Sequence, residues 1–287
     1  TKFVPHLAAL FVSVLDNCNP SKFVRFYVID DDIDFESKQL LRFSVKNARM
    51  NSDVEFLKIN KEFFTNVVIS DRIPETAYYR IAIPELFRGT EVERILYMDC
   101  DMIALQDISK LWRLDFGDSI VAAVEDAGFH QRLEKMEISA KSMRYFNSGL
   151  MLINVKKWLD ENITQKVLDF IEHNPEKLRF HDQDALNAIL HDRWLPLHPR
   201  WNAQGYIMAK AKKHPTAAGE REYEETRNNP YIIHFSGHVK PWSKDFEGPT
   251  KKYYEKYAGM TAFRCVAKFP KYPKYAKVQP KTDVVVK

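Results

Sequence analysis

The 287-residue chain is 45% hydrophobic and 29% charged, with a mean hydropathy of -0.41, the balance of a globular protein able to bury a large core. No apolar run approaches the ~20 residues of a membrane span and no charged-then-apolar leader opens the chain, which predicts a cytoplasmic body. The net charge is +4, yet Arg264 to Lys287 carries a strong basic excess and leaves the body slightly acidic, so nucleic acid is not the expected partner.

Thr1 is not an initiator methionine, so residues are expected ahead of it. Phe3 to Leu15 is apolar on nearly every side and predicts a buried helix, ended by the polar run Asp16 to Pro20. Phe23 to Ile29 predicts a strand, Asp34 to Ala48 a helix with Leu40, Leu41 and Val45 on one face, and Val54 to Ile59 the next strand. Strand, helix, strand in succession predicts an α/β fold with a parallel sheet. Glu75 to Leu86 predicts a helical segment around Arg80, interrupted by Pro84. Arginine among aromatics is either a surface cation with a covered stem or a fork for phosphate or sugar oxygens.

Ile95 to Asp99 follows as a buried parallel strand that breaks into acid. Asp99 and Asp101 stand at i and i+2, so an extended backbone points both carboxylates one way and Cys100 the other. Two like charges at the end of an apolar strand repel and lose hydration, which a divalent cation would relieve. An Asp-x-Asp triplet alone is more often a solvated turn; the strand before it and the apolar Met102 to Leu105 after it strengthen the metal reading.

Ser119 to Val124 predicts another strand, ending in the acids Glu125 and Asp126, where open α/β sheets bind ligands. His130 to Arg144 reads as a loop with a helical turn. Phe146 to Gly149 reads by default as a turn into the strand Leu150 to Val155. A helix is expected within Trp158 to His173, and another over Ala185 to Leu190, opened by Asp182, Gln183 and Asp184. Acids at a helix start are usually caps. Trp201 to Gln204 reads as loop and Lys210 to Asn229 as exposed surface or a helix over it. Tyr231 to Phe235 predicts a short last strand leading into SGHVKPW, where His234, Gly237 and Lys240 recur at threes on a loop suited to phosphate. Cys18, Cys100 and Cys265 form no CxxC pair and read as reduced thiols.

The runs TAYYRI, ILYMDCD, FNSGLMLINVKKW, HDQDALN and HFSGHVKPW, in this order and spacing from about residue 3 to 260, resemble glycosyltransferase family 8, retaining enzymes of the GT-A fold, and especially bacterial lipopolysaccharide and cell-surface galactosyl- and glucosyltransferases. The resemblance implies a single GT-A nucleotide-sugar-binding domain over 1–262, with a mixed, mostly parallel central sheet flanked by helices, and a basic-aromatic tail over 263–287. It implies that Asp99, Asp101 and His234 ligate Mn²⁺, with Mg²⁺ as the other hard cation, bridging the diphosphate of a UDP-hexose. Gly237 and Lys240 would hold the phosphates, Cys100 would lie in the donor-binding site, and Arg80, Asp126, Asn147, Ser148, Asp182 and Gln183 around the donor sugar. Asp126, Asp182 and Gln183 are the expected catalytic residues. Same-face attack is favoured, because the residue at the nucleophile position is Gln183, a poor nucleophile.

One departure stands out. Family members begin with a strand and an Asp-x-x-Tyr motif; here Phe3 falls on the tyrosine and the strand would lie ahead of Thr1. The acceptor class implied is a glycan, lipid-linked or protein-linked. The tail, with lysines among Phe269, Tyr272 and Tyr275, suits an anionic membrane surface and a peripheral location at its inner face. The competing reading is a non-catalytic nucleotide-sugar or glycan-binding module of the same fold.

Overall fold

A computed structural model describes residues 2–64 and 78–266. The basic-aromatic tail beyond Val266 and the first residues of the segment expected around Arg80 lie outside the described residues. Among the described residues no helix is long and apolar enough to cross a membrane.

Among the described residues nine strands form three small sheets: β1 (Val24–Ile29), β2 (Ser52–Leu57), β3 (Arg94–Met98), β4 (Met102–Ala104), β5 (Val121–Glu125), β6 (Phe146–Asn154), β7 (Trp194–Pro196), β8 (Ala203–Gln204) and β9 (Ile232–His234). The sheet orders are β1-β2, β3-β6-β5-β7 and β4-β9-β8. The fold is mixed α/β as expected, but the parallel share is smaller. β1–β2, β5–β7 and β8–β9 are parallel, whereas β3–β6, β5–β6 and β4–β9 are antiparallel. The strand before Asp99 is accordingly antiparallel to its neighbour, and it is half-buried throughout. An apolar run encodes burial, not the direction of the strand beside it.

The helix Val4–Asn17, started by Pro5 in its first turn, buries nearly its whole length. Phe11 stacks on Phe26 of β1 with ring centroids 3.9 Å apart. Phe35–Ala48 is capped by the Asp34 carboxylate, which accepts from the Ser37 amide at 2.8 Å. The helix expected within Trp158 to His173 is Ile163–His173; a shorter one, Val155–Asp160, comes first, and Asn162 takes a left-handed conformation (φ 53) between them. Ile163, Val167 and Ile171 on the second face the core at a helical repeat.

Between β1 and β3 runs a cleft of about 1020 Å³, walled by Leu7, Leu10 and Phe11 of the first helix and reaching Asp99, Asp101 and Lys240 at one end. Among the described residues β3 has a strand partner on one side only, β6.

Candidate active site and metal centre

The Asp-x-Asp motif stands where the chain leaves one sheet and enters another. β3 ends at Met98 opposite Leu150, and the Asp99 amide continues that ladder by donating to the Gly149 carbonyl at 2.8 Å. β4 begins at Met102, whose register partner on β9 is His234. The Asp101 carbonyl accepts from the Phe235 amide at 3.0 Å. Strand register thus sets the imidazole against both carboxylates: His234 Nε2 lies 3.4 Å from Asp101 Oδ1 and 3.8 Å from Asp99 Oδ2.

These three ligand atoms lie within 4.8 Å of one another. Two ligands of an octahedral ion with bonds of about 2.1 Å stand roughly 3 Å apart, so a small closure suffices to share one ion. The imidazole has the tautomer this requires. Its Nδ1–H donates to Asn202 Oδ1 at 2.9 Å, which leaves the Nε2 lone pair for a cation. Asn202 is itself oriented, donating to Asn147 Oδ1 at 2.9 Å. Gly149 completes the fit, since a Cβ there would sit 2.5 Å from His234 Cε1 and 2.7 Å from Asp99 Oδ2. Phe146 to Gly149 is therefore no turn: Asn147, Ser148 and Gly149 lie inside β6, and the glycine is needed for close approach.

Burial alone would raise the Asp101 carboxyl; the His234 ring and the Lys240 ammonium outweigh it and hold it well below the usual carboxylate range. Lys240 Nζ is 2.6 Å from Asp101 Oδ2 and donates to the Phe235 carbonyl at 2.8 Å. Cys100 does not turn to an opposite face. It lines the same cleft as the two aspartates, and burial, with both carboxylates nearby, pushes its thiol up to about 12, so it stays neutral. Gly237 is exposed, and a Cβ there would meet nothing within 4 Å.

Arg80 ties Asp99 to the second half of the site. Its guanidinium lies 3.2 Å from Asp99 Oδ1 and 3.0 Å from Asp182 Oδ2, donates to Ser148 Oγ and O at 3.1 Å, and packs 4.8 Å over the Tyr97 ring. It is not a surface cation: its partners are carboxylates and a serine of the chain itself. Burial pushes the Asp182 carboxyl up to about 6 against the pull of Arg80, with the Asp99 charge adding to the rise. Gln183 is held at both ends of its amide: Oε1 accepts from the Ser148 amide at 3.0 Å and Asn147 Nδ2 at 3.2 Å, and Nε2 donates to Asp126 Oδ2 and Tyr145 Oη at 3.1 Å. Asp126 Oδ1 accepts from the Gly128 amide at 2.9 Å. His181, just before Asp182, carries backbone strain (φ 47).

The acids that open the helix His181–Leu190 divide in role. Asp182 faces Arg80; Asp184, fully buried, accepts from Tyr145, Arg132 and the amides of Arg179 and Phe180. The capping-type reading holds for Asp184 alone. Asn202 and Gln204, in the stretch expected as loop, are buried on a 3₁₀ turn and on β8. Tyr97, which donates to Asp99 Oδ1 at 2.7 Å, joins them among the site residues that sequence reasoning passed over. A buried Asn or Gln beside a tryptophan was the only signal.

A second grouping, Glu125, His130 and His214, also brings ligand atoms within 4.8 Å, but it fits an ion poorly. Glu125 already pairs with Arg144 at 3.0 Å and His130 at 2.9 Å. His214 Nδ1 accepts from the Thr216 amide at 3.0 Å, which leaves the proton of the neutral ring on Nε2, the atom that faces Glu125.

The model for Glycosyl transferase family 8 matches residues 1–245. The chain is 44% identical over 266 residues to General stress protein A of Bacillus subtilis, covering 92% of each. It is 29% identical over 180 residues to a lipopolysaccharide 1,2-glucosyltransferase of Escherichia coli, covering 62% of this chain and 52% of that protein. Among solved structures, the galactosyltransferase LgtC with donor and acceptor sugar analogues superposes with a TM-score of 0.77 at 24% identity, covering 91% of this chain and 93% of that one, which establishes the GT-A fold. With Asp99, Asp101 and His234 converging at a strand junction of that fold, the chain belongs to glycosyltransferase family 8.

Proposed function

We propose that the protein transfers a hexose, galactose or glucose, from a UDP-sugar to a glycan-type acceptor with retention of configuration, using a divalent cation held by Asp99, Asp101 and His234. One observation carries the reading: the imidazole reaches the two carboxylates with its Nε2 lone pair free, fixed by Asn202. Oxygen-rich ligation with one imidazole suits Mn²⁺ and accommodates Mg²⁺. The charge count agrees. Asp99, Asp101, Asp126 and Asp182 against Arg80 and Lys240 leave the site short of two positive charges, which a divalent ion supplies.

When bound, the ion stabilises the negative charge that builds on the departing diphosphate. The chain's own groups do the rest. Lys240 adds a cation beside the same oxygens, and the close packing at Gly149 keeps the ligands in register. Asp182 and Asp126 place carboxylates where a cationic sugar would form, with Arg80 holding Asp182 in position. The Gln183 amide oxygen, already accepting from Ser148 and Asn147, is a poor covalent nucleophile. This favours departure of the diphosphate and arrival of the acceptor on one face of the sugar.

UDP-galactose and UDP-glucose hydrolysis measured with and without Mn²⁺, for the wild type and Asp101→Ala, tests the reading. A Mn²⁺-dependent rate that Asp101→Ala abolishes is expected. Equal rates in all arms would leave a non-catalytic binding module as the better description.

A further inference from the structure

The loop after β5 and the short helix Arg132–Lys135 enclose a second cavity of about 220 Å³, lined by Gly128, Phe129, His130, Arg132, Lys135 and Arg179, and by no acidic residue among the described ones. It adjoins the chemistry. The Gly128 amide holds Asp126, and Phe180, whose ring lies 4.2 Å from that of Phe129, precedes His181, Asp182 and Gln183.

The charges around this cavity are not all satisfied within the protein. Arg132 is spent on the buried Asp184 at 2.7 Å. Lys135 and Arg179 have no ion pair among the described residues; the Arg179 guanidinium rests 5.2 Å over the Phe180 ring. His130 donates through Nδ1 to Glu125 Oε1 at 2.9 Å, as it must, since a carboxylate can only accept. Its Nε2 is buried and has no partner. Unpaired cations and an orphaned imidazole lone pair gathered on an otherwise slightly acidic body ask for an anion whose molecule also offers a hydroxyl to donate to that nitrogen. The volume is below the roughly 300–1,000 Å³ of whole-ligand pockets, so it suits one group of a larger molecule.

We propose that this cavity is an acceptor subsite and that the acceptor carries an anionic group, phosphate or carboxylate, beside the hydroxyl that receives the sugar. The inference rests on the transfer reading above and adds to it the acceptor's charge. Phe129 offers an apolar face to the acceptor ring, Lys135 and Arg179 meet the anion, and a hydroxyl of the acceptor donates to His130 Nε2.

Binding is measured calorimetrically with UDP and Mn²⁺ saturating, so that the diphosphate position is already filled, using glucose 6-phosphate, glucuronate and methyl glucoside as probes. At least one anionic probe is expected to bind about tenfold or more tightly than the glucoside, with the preference shrinking as salt rises. Which anionic probe binds better tells phosphate from carboxylate. Lys135→Gln with Arg179→Gln should remove the preference and Lys135→Arg should keep it; Lys135→Glu alone, at an exposed position, serves if the double variant melts early. Equal binding of charged and neutral probes, or a preference that survives Lys135→Glu with Arg179→Gln, overturns the proposal. Thermal stabilisation of the wild type by UDP with Mn²⁺ reads the donor assignment separately. Its absence alongside intact anion binding would refute the donor reading and leave the cavity's ligand class standing.

Discussion

Among the described residues two groups of carboxylate and imidazole side chains sit near strand ends, and only one of them is fitted to an ion. At the junction of β3, β4 and β9, His234 is bonded through Nδ1 to a side-chain carbonyl, and its Nε2 lone pair faces Asp99 and Asp101. At the end of β5, His214 accepts through Nδ1 from a backbone amide, and Glu125 is already paired with Arg144 and hydrogen-bonded by His130. Both groups bring three ligand atoms within 4.8 Å of one another, but one has two carboxylates and one imidazole and the other one carboxylate and two imidazoles. Spacing cannot tell the two apart, whereas the hydrogen bonds behind His234 and His214 can.

The comparison breaks most sharply at a ligand. Asp101→Asn is expected to cut Mn²⁺-dependent turnover by about 10²–10³-fold and to abolish stabilisation by UDP with Mn²⁺; a variant with wild-type rates would show that the ion is held elsewhere. Chelation of the wild type should match it. Next comes the residue behind the ring. Asn202→Leu removes the acceptor of Nδ1–H and is expected to weaken Mn²⁺ binding about 10–100-fold, read by titration of the ion against the melting temperature.

A pH series sharpens the contrast further. With Asp182 raised to about 6 by burial, against Arg80, turnover should fall as the pH drops through that value, and Asp182→Asn should lose activity with no acidic limb left to observe. Because Asp99 contributes to the rise, saturating Mn²⁺ should move the midpoint toward acid. The stability effect has the opposite sign. The folded value lies above the ~3.9 of an unfolded aspartate, so the fold holds the extra proton between about pH 4 and 6 and loses stability as pH rises through that window. Asp101, held low, contributes stability above the unfolded value that is lost as the pH falls toward its own folded value. The smallest effect is expected at the closed cluster: Arg144→Ala breaks a partly exposed pair, should cost about 1 kcal/mol or less in thermal melts, and should not create Mn²⁺ or Zn²⁺ affinity at Glu125.

Much of this centre is legible in the sequence, for definite reasons. Asp99 and Asp101 stand out because an apolar run ending in alternating acids is costly without a cation, and Arg80 because it interrupts aromatics. His234, Asp126, Asp182 and Gln183 gain their places from the order and spacing of five motifs. Asn202, Gln204, Tyr97 and Tyr145 act through contacts with segments far away in the chain, and no local pattern carries that. The direction of β6 was hidden for a related reason: a nine-residue buried run is equally compatible with either orientation, and its opening residues read as a turn because Asn, Ser and Gly favour turns. Asp182 and Asp184, alike on paper, part company only once Arg80 approaches from one side and Arg132 from the other.

Gly149 gives the candidate metal centre a sensitivity unrelated to charge. Its carbonyl fixes Asp99, and its bare α-carbon makes room for the imidazole. A homologue that keeps both aspartates and the histidine but bears alanine here would pass any search for ligands and still lack the volume to close them on an ion. One extra methyl would silence the enzyme while its signature stayed whole.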